Sequence, residues 1–342
     1  MYIYAELQDR VSWPRILQQG YLEATVRPII KLAVRDWDYI VPLALGDVRS
    51  PDFDVQVDRV GTLPGNIAGD PRYDAAEMSF SAYSLGRAVG DESIVGVPHF
   101  LMRGFRHRCI ITASGSPLKS IEQLAGKRIG MTGWRDSGNT WTRAILSRAG
   151  IGIEDAQWFV GRLTAQHEIT DRLGGFGRPG RIEAVAGERP MVELLASGEL
   201  DAIFTPFMPP GFFEPSSGMR QLLPDCRAAE VAYFRDVGYV PGIHVLGIKP
   251  DVVRAYPWLP QALSELFDAS SRMWLQKREK YADTTPWIID ELRQTAQDLP
   301  ATWNTNGMAI NRPMIEAFAR ELLNQKLVAH AMTPETLFPH AA

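Results

Sequence analysis

The sequence predicts an α/β protein with mostly parallel sheets, and two observations lead to that prediction. From Lys31 onward, short apolar segments bounded by turns alternate with segments of helical periodicity, a pattern typical of strands flanked by helices. The chain has 342 residues, which fits two domains of about 150 residues each. We therefore expect two sheets, each with its own core.

The first half of the chain is predicted to begin with strands. These are expected at 31–35, 53–60, 94–98 and 108–112, with a helix starting at 39–45 and a strand, turn and helix within 73–87. Ser120 and Gly126 bracket a short helix, because serine caps helix N-termini and glycine ends helices. A strand at 127–131 and a helix at 140–148 follow.

The second half is predicted to alternate and then become helical. A helix at 191–197 leads into a buried strand at 200–204, and an apolar segment at 239–248 returns to the first unit. Helices are then expected at 257–282, 287–297 and 312–325. Residues 161–190 are rich in glycine, arginine and polar residues, so we expect a mobile flap or a surface excursion there.

Composition argues against several classes of function. The 36 basic and 40 acidic residues give a net charge of −4, with no long run of like charge, so neither a nucleic-acid nor a membrane partner is expected. The two cysteines, Cys109 and Cys226, belong to no metal-binding or disulfide pattern. His99 and His107 lie eight residues apart with no partner at ligand spacing, and no metal site is expected.

The N-terminal segment bears on location. Charged residues interrupt the first 25 positions, whereas a secretory signal needs an uninterrupted apolar core. No stretch approaches the roughly 20 apolar residues of a membrane-spanning helix. We therefore expect a cytoplasmic protein in which residues 1–30 form an added helical arm. The apolar character of this arm and of the C-terminal helices favours a homodimer.

Several segments resemble known proteins. SPLKSIEQLAGKRIGM at 116–131 and LLASGELDAIF at 194–204 resemble the second lobe of type II periplasmic binding proteins, including the nitrate and taurine transporter family. A narrower resemblance is to the 4,5-dihydroxyphthalate decarboxylase family, a cytoplasmic enzyme branch of that fold. It rests on YDAAEMSFSAY at 73–83, MRGFRH at 102–107, YVPGIH at 239–244 and the segment 303–338.

The resemblance implies both a fold and an activity. The fold has two lobes around a ligand cleft at the hinge, with lobe 1 formed by 31–113 and 226–342 and lobe 2 by 114–225. The implied activity is cofactor-independent decarboxylation of a hydroxylated aromatic dicarboxylate, 4,5-dihydroxyphthalate, to protocatechuate and CO2. The alternative is a solute-binding protein for a small organic anion that performs no chemistry.

Such a decarboxylation needs a proton donor for the ring carbon, an acceptor for a phenolic proton and a clamp for the carboxylates. We expect Arg106 to be the clamp with Arg103 assisting, and His107 to carry a proton. A solvated strand edge is the alternative for all three residues. His244 is the second proton carrier, or else a core histidine with a satisfied hydrogen bond.

Three further groups of residues are candidates for the site. Glu77 is either a base for a phenol or a hydrogen-bond partner of another side chain, and Ser79 is either a ligand contact or a helix cap. The glycine-containing loop 132–140 supplies Trp134 for stacking and Asn139 and Thr140 as donors, and it does not match a phosphate-binding loop. The remaining candidates are Asp36, Trp37 and Asp38, as an aromatic wall and acceptors or as a helix cap.

Overall fold

The computed structural model describes residues 27–340, which form two β-sheets flanked by helices. The strands are β1 (Ile29–Arg35), β2 (Asp54–Val60), β3 (Ala75–Ser79), β4 (Val95–Arg103), β5 (Ile110–Ala113), β6 (Arg128–Met131), β7 (Gln157–Val160), β8 (Ile182–Ala184), β9 (Ala202–Phe204), β10 (Met219–Gln221) and β11 (Gly242–Ile248). The predicted arm lies outside the described residues, apart from 27–30, where β1 already begins.

The first sheet has the order β2-β1-β3-β11-β4. β1 pairs in parallel with β2 and β3, whereas β11 runs antiparallel to β3 and β4. Within β1, Leu32 and Val34 face one core and Ala33 faces the other, and all three are fully buried. Burial on both faces explains why this strand reads as a nearly continuous apolar run.

The second sheet has the order β10-β5-β9-β6-β7-β8. Strands β6 to β9 pair in parallel, and β5 runs antiparallel to β9 and β10. β5 therefore belongs to this sheet, although the sequence-based boundary placed residues 110–113 in the first lobe. Within 161–190, β8 pairs with β7 and buries Ile182, so part of the expected flap is a sheet edge.

The helices are α1 (Val41–Ala44), α2 (Phe80–Ala88), α3 (Ser137–Arg148), α4 (Met191–Ala196), α5 (Cys226–Val237), α6 (Pro250–Ala255), α7 (Leu259–Lys280), α8 (Ile288–Asp298), α9 (Met308–Asn324) and α10 (Pro334–Leu337). Within residues 27–340, none of them is long and apolar enough to cross a membrane.

Helix α9 packs where the two lobes meet. Phe318 on this helix stacks on Phe80 of α2, with ring centroids 4.3 Å apart, and lies 5.1 Å from the ring of Trp141 on α3. Trp141 in turn donates its indole N–H to the carbonyl oxygen of Gly242 at the start of β11. One apolar core therefore connects α2, α3 and the crossing strand β11, and it fixes the two helix N-termini relative to each other.

Candidate active site

A cavity of about 240 Å³ lies between the two lobes. It is lined by Arg35, Thr62, Leu63, Ser79, Met102, Arg106, Asp136, Ser137, Gly138, Asn139, Pro206, Phe207, Ile243 and His244. Several of these residues stand at or just beyond the carboxyl ends of β1, β3 and β9, which is where open α/β sheets bind ligands. Because a cavity of about 150 Å³ already accepts benzene, this one has room for a single substituted ring.

Arg106 presents a buried positive charge to this cavity. It is 2% exposed, and its Nε and Nη2 atoms have no hydrogen-bond partner among residues 27–340. The described part of the chain also places no carboxylate in an ion pair with it. A buried charge without a partner costs several kcal/mol, so the arrangement favours an anionic ligand. The predicted carboxylate clamp therefore lines the cavity.

His244 is oriented by a buried carboxylate. Its Nδ1 lies 2.5 Å from Oε1 of Glu77, which is fully buried. The other oxygen, Oε2, accepts the backbone N–H of Arg35 at 2.8 Å and the indole N–H of Trp37 at 3.0 Å. Since Nδ1 is occupied, Nε2 is the ring nitrogen that remains for a ligand. Of the two alternatives for Glu77, the structure shows the hydrogen-bond partner, because Glu77 does not line the cavity.

Three serines join the two lobes beside His244. Ser79 caps α2 by accepting the backbone N–H of Ala82 at 3.3 Å, and it pairs with His244 in the sheet. Its hydroxyl lies 2.8 Å from the hydroxyl of Ser137 at the start of α3, which also accepts the backbone N–H of Ser81 at 2.8 Å. Ser79 is therefore a cap and a lining residue at once.

The predicted loop 132–140 contributes one of its three candidate residues to the cavity, and its last four residues already belong to α3. Asn139 lines the cavity, donates to the carbonyl oxygen of Gly133 at 2.8 Å and leaves its Oδ1 unpartnered within the described residues. Thr140 instead donates to the backbone oxygen of Asp136. Trp134 is 1% exposed beneath the guanidinium of Arg143, 4.1 Å from its ring centroid. The burial of Trp134 therefore contradicts the prediction that it stacks on a ligand.

Arg103 and His107 lie outside the cavity, which corrects two further predictions. Arg103 donates from Nη2 to the carbonyl oxygen of Thr305 at 3.0 Å and to Oδ1 of Asn311 at 2.9 Å, so it anchors the start of α9. His107 is 5% exposed and packs edge-on against Tyr233. The chain turns sharply after β4, so only Arg106 of the predicted trio lines the cavity.

The first loop also differs from its prediction. Asp36 is exposed and pairs with Arg59 at 2.8 Å, and Asp38 begins a short 3-10 turn on the surface. Trp37 donates its indole N–H to Glu77, as described above. None of the three lines the cavity, whereas their neighbour Arg35 does.

The residues that sequence reasoning missed are Arg35, Asp136 and Phe207. Arg35 ends β1 and lies with its guanidinium carbon 5.4 Å from the ring centroid of Phe207, which follows β9 in the other lobe. Its Nε is buried without a partner in the described chain. For Arg35 and Phe207 the usable signal was position, because Arg35 is the last residue of β1 and Phe207 lies three residues beyond β9.

Burial makes two histidines outside the cavity sensitive to acid. Loss of hydration lowers the pKa of His107 to about 4 and that of His99 to about 3, from 6.5. Below about pH 6.5 the unfolded chain therefore binds protons that the folded chain does not, and the free energy of unfolding falls as the pH drops.

We expect each of these histidines to remove about 2 kcal/mol from the free energy of unfolding between pH 7 and pH 5. Urea unfolding at the two pH values measures this loss, and His107→Gln should reduce it by one histidine's share. Equal losses in the variant and the unmodified protein would contradict the assignment.

No group of three His, Cys, Asp or Glu side chains within 27–340 is placed to hold a metal ion.

No protein-family model matches the chain. It is 27% identical over 341 positions to the 4,5-dihydroxyphthalate decarboxylase of Comamonas testosteroni, covering 92% of this chain and 97% of that protein. It is 30% identical over 226 positions to the enzyme of that name from Pseudomonas putida, covering 61% of this chain and 83% of the relative. The chain belongs to the 4,5-dihydroxyphthalate decarboxylase family. Membership in this family places it among the carboxy-lyases, which confirms the predicted enzyme class.

Solved structures confirm the fold predicted for this member of the decarboxylase family. The Escherichia coli periplasmic aliphatic sulphonate binding protein SsuA aligns with a TM-score of 0.55 at 13% identity, over 92% of this chain and 99% of that one. The alkanesulfonate-binding protein SsuA from Xanthomonas axonopodis pv. citri gives 0.52 at 13% identity, over 91% and 99%. The two-lobed periplasmic-binding-protein-like fold is thus confirmed.

Proposed function

We propose that this chain decarboxylates a hydroxylated aromatic dicarboxylate, and specifically converts 4,5-dihydroxyphthalate to protocatechuate and CO2. The observation that supports this most strongly is that an unpaired buried guanidinium, Arg106, and an oriented imidazole, His244, line one cavity of single-ring size. The choice of substrate comes from the names of the two relatives, and the cavity contains an anion-binding group and a proton carrier of the kinds this reaction needs.

The charges of the cavity suit a dicarboxylate. Arg106 and Arg35 both line it, and neither has a carboxylate partner within residues 27–340. A carboxylate accepting two guanidinium N–H bonds forms the strong, charge-assisted kind of hydrogen bond. One carboxylate of the substrate then faces Arg106, which is buried in the cavity wall, and the other faces Arg35.

The proposed chemistry protonates the ring carbon that bears the departing carboxylate. A hydroxyl para to this carbon supplies electrons, and His244 in its protonated form delivers a proton from Nε2 to the carbon. The bond to the carboxylate then breaks, CO2 leaves, and the bonding electrons restore the aromatic ring. Glu77 holds the Nδ1–H throughout, so it keeps the ring oriented and stabilises the imidazolium charge.

One assay tests this function. Purified protein is incubated with 4,5-dihydroxyphthalate, while CO2 and protocatechuate are quantified. We expect one of each per substrate consumed. Tight binding with no turnover would instead support the solute-binding alternative, which the SsuA-like fold also accommodates.

Gly138 gives a further test of the clamp. A Cβ atom at this position would lie 2.8 Å from Nη2 of Arg106, so Gly138→Ala should displace the guanidinium and weaken substrate binding about 10- to 100-fold. Gly138 is the second residue of α3 and is buried, and calorimetric titration measures the loss of affinity while thermal unfolding checks that the variant is folded. Gly115→Ala is the control, since its Cβ would meet nothing within 4 Å. Unchanged affinity in Gly138→Ala would contradict the clamp geometry.

A further inference from the structure

Asp136 is the one carboxylate among the described residues that line the cavity. It directly precedes α3, whose first turn presents Ser137, Gly138 and Asn139 to the same cavity. The chemistry proposed above uses His244 for the ring carbon and leaves the phenolic proton without an acceptor. With His107 located outside the cavity, Asp136 is the remaining lining group that can take a proton.

The loop holds this carboxylate by one oxygen. Oδ2 accepts the hydroxyl of Thr132 at 3.2 Å and the amide of Asn139 at 3.3 Å, whereas no hydrogen bond within residues 27–340 reaches Oδ1. A Cβ atom at Gly133 would lie 2.5 Å from Oδ1 and 2.6 Å from Oδ2. Glycine at 133 is therefore required for the carboxylate to occupy this place, and one oxygen is left for a ligand.

The surroundings strengthen Asp136 as a base. Asp136 is solvent-accessible and lines the cavity, and protein packed around it raises the pKa of the carboxyl above its ordinary value through lost hydration. Nearby guanidinium groups oppose this rise. The charged groups near it are Arg143, Arg172 and Arg106, and the other charged or titratable residues that line the cavity are Arg35 and His244. A carboxylate with a raised pKa holds a received proton more firmly.

We propose that Oδ1 of Asp136 accepts the proton of the substrate hydroxyl para to the departing carboxylate, and later returns it. This assignment rests on the proposed decarboxylation. The phenolic O–H bond breaks, the proton moves to Asp136, and the phenolate electrons shift into the ring as His244 protonates the carbon. Loss of CO2 regenerates the phenolate, which takes the proton back from Asp136. Over one turnover Asp136 ends unchanged, and the proton that is consumed comes from His244.

A purely architectural role predicts different behaviour. If Asp136 served only to tie Thr132 to Asn139, every ligand of the cavity would be affected alike. A proton acceptor instead distinguishes hydroxylated from unhydroxylated rings. It also becomes dispensable once the phenol ionises by itself, which for an ordinary phenol occurs near pH 10.

The test compares Asp136→Asn with the unmodified protein from pH 6 to pH 10. We expect turnover of 4,5-dihydroxyphthalate near neutral pH to fall about 10²- to 10⁴-fold. In the variant, kcat/KM divided by that of the unmodified protein should rise about tenfold per pH unit until the phenol ionises, because only the ionised phenol reacts in the variant while both proteins use the same proton donor. In titrations, affinity for 4,5-dihydroxyphthalate should fall while affinity for phthalate, which has no hydroxyl, stays constant.

Two further variants keep the outcome decisive. Asp136→Ser should show the same pH slope if the asparagine variant fails to fold, and Asp52→Asn, on the exposed surface outside the cavity, should match the unmodified protein. Equal losses for phthalate and 4,5-dihydroxyphthalate, or a variant pH profile parallel to that of the unmodified protein, would overturn the role of Asp136 while leaving the decarboxylation intact. Absence of turnover in the unmodified protein would overturn both.

Discussion

Replacing His244 by glutamine should lower kcat for decarboxylation by about 10²- to 10⁴-fold, the range that one general acid contributes. The reason is geometric, because Nε2 is the ring nitrogen left to the cavity once Glu77 holds Nδ1 at 2.5 Å. Substrate affinity should change much less, since the carboxylates are held by arginines. Stopped assays of CO2 release together with calorimetric titration separate the two quantities.

Glu77→Gln is the companion variant. Glu77 touches His244 and not the ligand, so it acts as a positioning residue. The amide still accepts one donor but carries no charge to stabilise an imidazolium, so we expect a loss of kcat that is smaller than in His244→Gln. If His244→Gln retained turnover within a few-fold of the unmodified protein, the proton donor would have to be another group.

Replacing Arg106 by methionine should weaken substrate binding about 100-fold, because removing one partner of a buried charge pair costs about 2–5 kcal/mol. Without ligand, the same change should leave the thermal midpoint unchanged or raise it. A buried charge without a partner destabilises the fold, and two of its guanidinium nitrogens, Nε and Nη2, lack partners within the described chain. A substitution that only damaged the core would lower both the affinity and the thermal midpoint, whereas here we expect the affinity alone to fall.

Arg35→Met is the matched control for this experiment. Arg35 is half-buried and donates to the carbonyl oxygen of Gly61 at 3.1 Å, so its replacement should cost less affinity and give no gain in stability. Calorimetry measures the affinity of each of the two variants for phthalate, and thermal unfolding without and with phthalate measures the stability of each. A large drop in the unliganded midpoint of Arg106→Met would show that the guanidinium is compensated by the protein itself.

The fold was largely predictable because local patterns determine it. Gly126, which ends the short turn before β6, adopts a positive φ of 71°, as its position required. Lobe membership was harder to predict, since β5 is a four-residue apolar strand that fits either sheet. Its partners β9 and β10 are distant in sequence, and no local pattern encodes that pairing.

The candidate site was only partly predictable. Arg106 and His244 were identified because they lie in MRGFRH and YVPGIH, two of the segments that carry the resemblance to the decarboxylase family. Arg103 and His107 are residues of the same types in the same segment. However, Arg103 contacts α9 and His107 packs against Tyr233. Which side of a turn faces a cavity depends on backbone geometry that residue types do not encode. Location in the cytoplasm and a homodimer stay predictions.

Under the proposed decarboxylation, the contact between Glu77 and His244 also sets an order of events. Because Glu77 holds Nδ1, the proton that Nε2 gives to the ring is replaced from the cavity side. We therefore expect the product to leave before His244 is reprotonated from water. In heavy water, each product molecule should carry one deuterium at the vacated position.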